Sequence, residues 1–113
     1  IEGVVAVQQF VRIGQHAFVA GGSLVRKNIP PFVKVAREPL SYIGVNAIGL
    51  RRRGFADEFV RAVEDIYRTL YVTGGNMSQA IKVAEMELPI SDAKETILDF
   101  IRASDKGIVR GPF

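Results

Sequence analysis

Apolar residues recur every six positions at the start of the chain. From Ile1 one column reads Ile1, Val7, Ile13, Val19 and Val25, and the column four residues further on reads Val5, Val11, Ala17, Ser23 and Ile29. Alternating strands of an ordinary sheet are the competing explanation, but Gly3, Gly14, Gly21 and Gly22 would interrupt them. A hexad fits one flat face of a triangular coil. The aliphatic residue points inward, the small residue sits near the corner, and three hexads close one turn. The run from Ile1 to Ile29 amounts to less than two such turns. Each coil buries its apolar face only against neighbouring coils, so further coils are expected before Ile1. Pro30-Pro31 stops the period, because proline cannot donate to a ladder and the first of the pair holds Ile29 extended.

Residues 32–54 show neither period. Pro39, Gly44, Gly49 and Gly54 punctuate them, and the stretch reads as an irregular connection, which at this length is usually functional. From Ala56 the period becomes helical. Ala56, Phe59, Val63, Ile66 and Leu70 form a stripe widened by Val60, Tyr67 and Tyr71, with Asp57 and Glu58 in the first turn and Gly74-Gly75 at the end. A second helix fits Met77 to Leu88, with Asn76 and Gln79 in a capping-box relation. Beyond Pro89 a third fits Asp92 to Ala103, capped by Ser91, with Ile97, Leu98 and Ile101 turned inward.

Composition narrows the chemistry. The chain has 113 residues, 48% apolar and 24% charged, in the range of one small folded domain. It has no cysteine and one histidine, which removes thiolate chemistry and disulfides and makes a zinc cage improbable, so neither metal nor cofactor is expected. The longest stretches without a charged residue, Ile13 to Val25 and Thr69 to Ile81, are too short to span a bilayer. No secretory signal pattern opens the chain, which reads as cytoplasmic, and the start at Ile1 without methionine reads as a piece of something longer.

Charge divides the chain in two. Residues 1–55 carry eight Lys or Arg against two acids, a net +6, whereas residues 56–113 carry seven against ten, a net −3. The basic half invites an anionic partner. Its densest cluster, Arg51-Arg52-Arg53, admits two readings: a solvated basic turn, or a phosphate site helped by the dipole of the helix that starts near Ala56. Nucleic acid is disfavoured, since the interleaved aromatics of a single-strand platform are missing. Gly21 and Gly22 serve either coil-corner geometry or close approach of a ligand. His16 lies on a turn of the hexad with no acid near it in sequence. A hydrogen-bonding role on the surface or between subunits is favoured over catalysis.

The stretches AVQQF, IGQHAFVAGGSLVRKNIPPF, IGVNAIGLRRRGF and KGIVRGPF together resemble the carboxyl-terminal part of the bacterial UDP-N-acetylglucosamine O-acyltransferase family. The most specific signature runs through Gly44, Val45, Asn46, Gly49, Leu50, Arg52, Arg53, Gly54 and Phe55. The resemblance implies a mainly β plus α fold. The end of a left-handed parallel β-helix of hexapeptide repeats would cover 1–31, a connecting loop with nucleotide-contact residues 32–54, and a three-helix carboxyl-terminal domain 55–113. It implies a homotrimer with sites between subunits and transfer of an (R)-3-hydroxyacyl chain from acyl carrier protein to the sugar 3-hydroxyl of UDP-N-acetylglucosamine, the first step of lipid A biosynthesis.

Carried over by position, Arg52 and Arg53 resemble the family's phosphate contacts, Asn46 a nucleotide-side polar contact and Gln9 the glutamine near the substrate. Gly21 matches the residue that limits the depth of the acyl chain. Two positions depart from the pattern: Gln8 stands where the family usually has histidine, and Ile48 where an acid is common. The general-base histidine is expected before Ile1, and His16 matches a different, non-catalytic histidine. Arg26, Lys27, Lys34 and Arg37 are candidates for steering the carrier protein, or else a solvated rim. Two other assignments compete: a non-catalytic trimerisation and carrier-docking module, and a different hexapeptide-repeat acyltransferase using acyl-CoA.

Overall fold

The computed structural model describes residues 5–9, 11–71, 76–104, 107–109 and 111. Five strands come first: β1 (Ala6–Val7), β2 (Phe18–Val19), β3 (Leu24–Val25), β4 (Val33–Ala36) and β5 (Ser41–Val45). Four helices follow: α1 (Ala47–Arg52), α2 (Asp57–Tyr71), α3 (Met77–Glu87) and α4 (Asp92–Arg102).

β1 pairs with β3 in parallel, with Ala6 opposite Leu24 and Val7 opposite Val25. Partners eighteen positions apart are three hexads apart, the spacing at which a triangular coil returns to the same face. The next returns are two residues shorter, since Ile13 bridges Ile29 and β2 pairs with β4 through Phe18 opposite Lys34 and Val19 opposite Val35. Of the inward column, Val19 and Val25 are fully buried, Ile13 is half-buried and Val7 is exposed, while Ile1 lies outside the described residues. Ile29, expected at a corner, is instead fully buried and takes the inward place that the hexad would give to Pro31.

The structure corrects two expectations. Pro30-Pro31 ends the sequence period but not the ladder. The two prolines are buried at a turn, the Phe32 N–H donates to the Gln15 carbonyl at 2.9 Å, and β4 pairs on with β2. Gly14 makes room for them, because a Cβ there would lie 2.4 Å from the Pro31 nitrogen. Residues 32–54, expected as an irregular connecting loop, fold into the antiparallel pair β4–β5 and the helix α1. The alternation that marks these strands is only four and five residues long, with a register shift at Lys34/Val35 and Gly44 inside β5, too little to register as a period.

α2, α3 and α4 lie where the periodicity places them. Asn76 and Gln79 complete a capping box on α3, and the Ser91 hydroxyl accepts from the Lys94 N–H at the start of α4. Gly74-Gly75, the expected stop of α2, lies outside the described residues. On α2 the buried stripe is Val60, Val63, Ile66, Tyr67 and Leu70; Ala56 precedes the helix and is exposed. One core runs without a break from Val19 through Leu50 and Tyr67 to Val109. Polar contacts tie the helices to residues before and after them in the chain. The Tyr67 hydroxyl donates to the Pro31 carbonyl at 2.6 Å, Tyr71 donates to Val109, and the Arg12 guanidinium lies over the Phe100 ring, 4.5 Å from its centroid. Burial pushes the Tyr67 and Tyr71 phenols well above their ordinary range.

Candidate functional site

The segment from Asn46 to Phe55 sorts its residues by what holds them. Asn46 is the N-cap of α1, and its side-chain oxygen accepts from the Gly49 N–H at 3.3 Å. Glycine at 49 leaves room for this, since a Cβ would stand 2.6–2.9 Å from the Asn46 carboxamide and push it aside. Leu50 is completely buried in the common core and pins the helix from beneath. After α1 the chain reverses at Gly54, whose φ of +90° suits glycine, and the Phe55 N–H returns to the Leu50 carbonyl. Phe55 then enters an aromatic cluster, 4.8 Å from Phe59 and edge-on to His16 at 5.1 Å.

The three arginines are not equivalent. Arg51 is committed to Asp57 of α2 through an ion pair at 3.2 Å. Arg52 and Arg53 are exposed, and among the described residues neither side chain has a hydrogen bond or ion pair. They project two guanidinium groups from a short, anchored helix and the turn after it, a donor arrangement suited to phosphate or carboxylate oxygens. The helix dipole expected to assist them is already answered from within. α2 opens with Asp57 and Glu58, so its first turn faces acids of this chain.

His16 occupies the turn before β2 with φ 57°. Its ring stacks on Phe32 at 6.1 Å and meets the edge of Phe55, and its buried Nδ1 has no hydrogen-bond partner among the described residues. Its carbonyl accepts from Asn46 Nδ2 at 3.0 Å. Sequence reasoning anticipated neither this link between His16 and Asn46 nor the cap; the Asn-x-x-Gly spacing was an available signal for the cap alone.

The other candidates sit on the coil. Gln8 and Gln9 are exposed beyond β1, where the Gln8 N–H donates to the Val25 carbonyl at 2.7 Å. Gly21 is exposed on the turn between β2 and β3, and its neighbour Gly22 has φ 78°. No hydrogen bond joins these residues to Asn46, Arg52 or Arg53 among the described residues. Of the basic rim, Arg26 pairs with Glu38 at 2.9 Å and the Lys34 stem passes Gly44. Among the described residues no helix is long and apolar enough to cross a membrane, and no group of three or more His, Cys, Asp or Glu could hold a metal ion.

Comparison with known proteins adds to this geometry. A sequence model of the family described as UDP N-acetylglucosamine O-acyltransferase, domain 2, matches residues 28–109. An acyl-[acyl-carrier-protein]–UDP-N-acetylglucosamine O-acyltransferase of Xanthomonas oryzae pv. oryzae is 41% identical over 112 residues, covering 97% of this chain and 42% of the relative. The enzyme of that name from Myxococcus xanthus is 33% identical over 110 residues, again 97% of this chain and 43% of its own. Among solved structures, a UDP-N-acetylglucosamine acyltransferase from Bacteroides fragilis superposes with a TM-score of 0.90 at 44% identity, covering 94% of this chain and 42% of that one. The Francisella novicida enzyme superposes at 0.83 with 35% identity, covering 96% and 40%. The chain thus spans about two fifths of the length of the relatives it matches.

Proposed function

The chain belongs to the UDP-N-acetylglucosamine O-acyltransferase family, and we propose that it forms the carboxyl-terminal part of an enzyme moving an (R)-3-hydroxyacyl chain from acyl carrier protein to the 3-hydroxyl of UDP-N-acetylglucosamine, opening lipid A synthesis. The observation that carries this reading is the division of labour in the Asn46–Phe55 segment. Its other signature residues are used up in capping, packing and turning, and only Arg52 and Arg53 are left reaching into solvent.

In this reading the two guanidinium groups hold the nucleotide diphosphate and fix the sugar for attack. Gln9, with Gln8 beside it, faces the substrate, Asn46 belongs to the nucleotide side, and Gly21 sets how deep the acyl chain lies. The chemical step needs a base that takes the proton of the sugar 3-hydroxyl as its oxygen attacks the thioester carbonyl. Backbone N–H groups stabilise the oxyanion, and the carrier thiol leaves as the ester forms. That base is a histidine on an earlier coil of the longer protein. His16 is unsuited to the role, because its ring is packed against Phe32 and Phe55.

The eighteen-residue return from β1 to β3 supports a parallel β-helix; its left-handed sense, its continuation before Ile1 and three copies of the protein enclosing the sites are what the resemblance to the family implies. The net +6 of residues 1–55 suits two anionic ligands, UDP and the carrier protein.

In the full-length enzyme, Arg53→Ala is expected to weaken UDP-N-acetylglucosamine binding by about 1.5–3 kcal/mol, the range for a charge-assisted hydrogen bond. Calorimetric titration measures it, and parent-like binding would remove the phosphate role. Gly21→Met is expected to shift preference toward shorter acyl donors. A donor-length profile identical to the parent's would refute the ruler assignment. A thermal shift with UDP-N-acetylglucosamine separates this reading from an acyl-CoA transferase with another acceptor, which the nucleotide sugar would not protect.

A further inference from the structure

We propose that Asn46 is a positioning residue that aims Arg53 and Arg52 by tying α1 to two strained turns of the coil, rather than acting only as a contact to the nucleotide; the inference rests on the phosphate role of those arginines given above. All four polar groups of Asn46 are engaged within the protein. Its backbone N–H donates to the Phe32 carbonyl at 2.7 Å and its carbonyl accepts from the Leu50 N–H at 3.0 Å. Its Nδ2 donates to the His16 carbonyl at 3.0 Å, and its Oδ1 accepts from the Gly49 N–H.

The acceptors on the coil side are distinctive. His16 and Phe32 have φ of 57° and 71°, left-handed values that non-glycine residues hold only when their surroundings over-determine them. Both direct their carbonyls to Asn46, and their rings stack on each other. Asn46 therefore joins the turn before β2, the start of β4 and the first turn of α1 at a single residue.

The consequence for the arginines is geometric. α1 is six residues long, about 9 Å at 1.5 Å per residue, so a tilt of roughly 10° at its start moves its far end by about 1.5 Å. Binding that depends on two guanidinium groups meeting fixed oxygens is sensitive to displacements of that size. Gly49 gives a second handle on the same joint, because a methyl group there would stand 2.6–2.9 Å from the Asn46 carboxamide while its own polar part is only backbone.

Two neutral substitutions in the full-length enzyme test this, read as the dissociation constant for UDP together with the melting temperature. Asn46→Ser keeps a hydroxyl able to cap α1 but cannot span to the His16 carbonyl. Gly49→Ala leaves every polar side chain in place and pushes the Asn46 carboxamide aside, while alanine favours the helix itself. Each is expected to weaken UDP binding by roughly tenfold, and each should change binding by only about threefold when placed on Arg53→Ala, because one of the two misaimed groups is already gone and Arg52 alone is left to misaim. Full multiplication of the Asn46→Ser and Arg53→Ala effects, or parent-like UDP affinity in Gly49→Ala, overturns the positioning role while leaving the phosphate role intact. Parent-like UDP binding by Arg53→Ala overturns the functional reading first, and the inference with it. Should Asn46→Ser fail to fold, Gly49→Ala and its double variant decide alone.

Discussion

The coil and the helices bury their apolar residues in different ways. α2, α3 and α4 turn stripes inward against one another and against β5, and each stripe is covered by residues within the chain. In the hexad's inward column, Val19 and Val25 are covered, whereas Val7 is 44% exposed. A helix with caps and an apolar stripe finds its partner through short loops. A coil residue finds its partner only one full turn away, so its burial depends on how many coils there are. The sharpest way to probe this difference is to remove side chains from the seam, the helical part and the coil in turn.

The largest effect is expected at the seam. Leu50 is fully buried where α1 meets the core that coil and helices share. Leu50→Ala removes that packing and leaves a cavity, at a cost of about 2–5 kcal/mol. Denaturant unfolding of the full-length protein measures it. A loss below about 1 kcal/mol would mean that α1 is not held from beneath, and the anchoring of Arg52 and Arg53 would need another source.

A smaller loss is expected at Tyr67, which lies on α2 but hydrogen-bonds the coil. Tyr67→Phe keeps the ring stacked on Tyr42 and leaves the buried Pro31 carbonyl without its donor, for about 1–3 kcal/mol. The pH dependence has a definite sign. Burial raises the folded phenol well above its ordinary value of 10.0, so the stability it contributes is present below pH 10 and is lost as the pH rises beyond that, where the unfolded chain ionises first. Tyr67→Phe should therefore flatten part of the alkaline fall in melting temperature. An identical alkaline limb in parent and variant would show that the phenol titrates freely.

The same contrast accounts for what could be read from the residues alone. α2, α3 and α4 announce themselves through Asp57-Glu58, the Asn76–Gln79 box and the Ser91 cap, all local signals within one turn. The hexad marked Val19 and Val25 as inward, and both are buried. It failed at Ile29, because the two-residue shortening of the last return is a property of pairing with Ile13 and not of the local sequence. β4 and β5 were missed for a related reason: a four-residue and a five-residue strand with a register shift carry too few alternations. At the site, the arginine triplet was visible as charge. That Arg51 is spent on Asp57, and that Asn46 is tied to His16 thirty residues away, follows only from the folded chain.

Val7 sharpens the comparison on the coil side. Val7 and Val25 are register partners in β1 and β3 and occupy the same column of the hexad, yet Val25 is 1% exposed and Val7 is 44% exposed. If coils continue before Ile1 in the full-length protein, Val7 faces an interior like that of Val25. Val7→Ala and Val25→Ala should then cost nearly the same, roughly 1.5 kcal/mol from about 0.8 kcal/mol per buried CH₂ group. If nothing lies against β1, Val7→Ala should stay within about 0.5 kcal/mol, as exposed substitutions do, while Val25→Ala keeps its full cost. Equal losses in paired unfolding measurements would extend the coil beyond the residues described. Unequal ones would leave β1 as an edge strand and remove the platform on which the proposed earlier histidine rests.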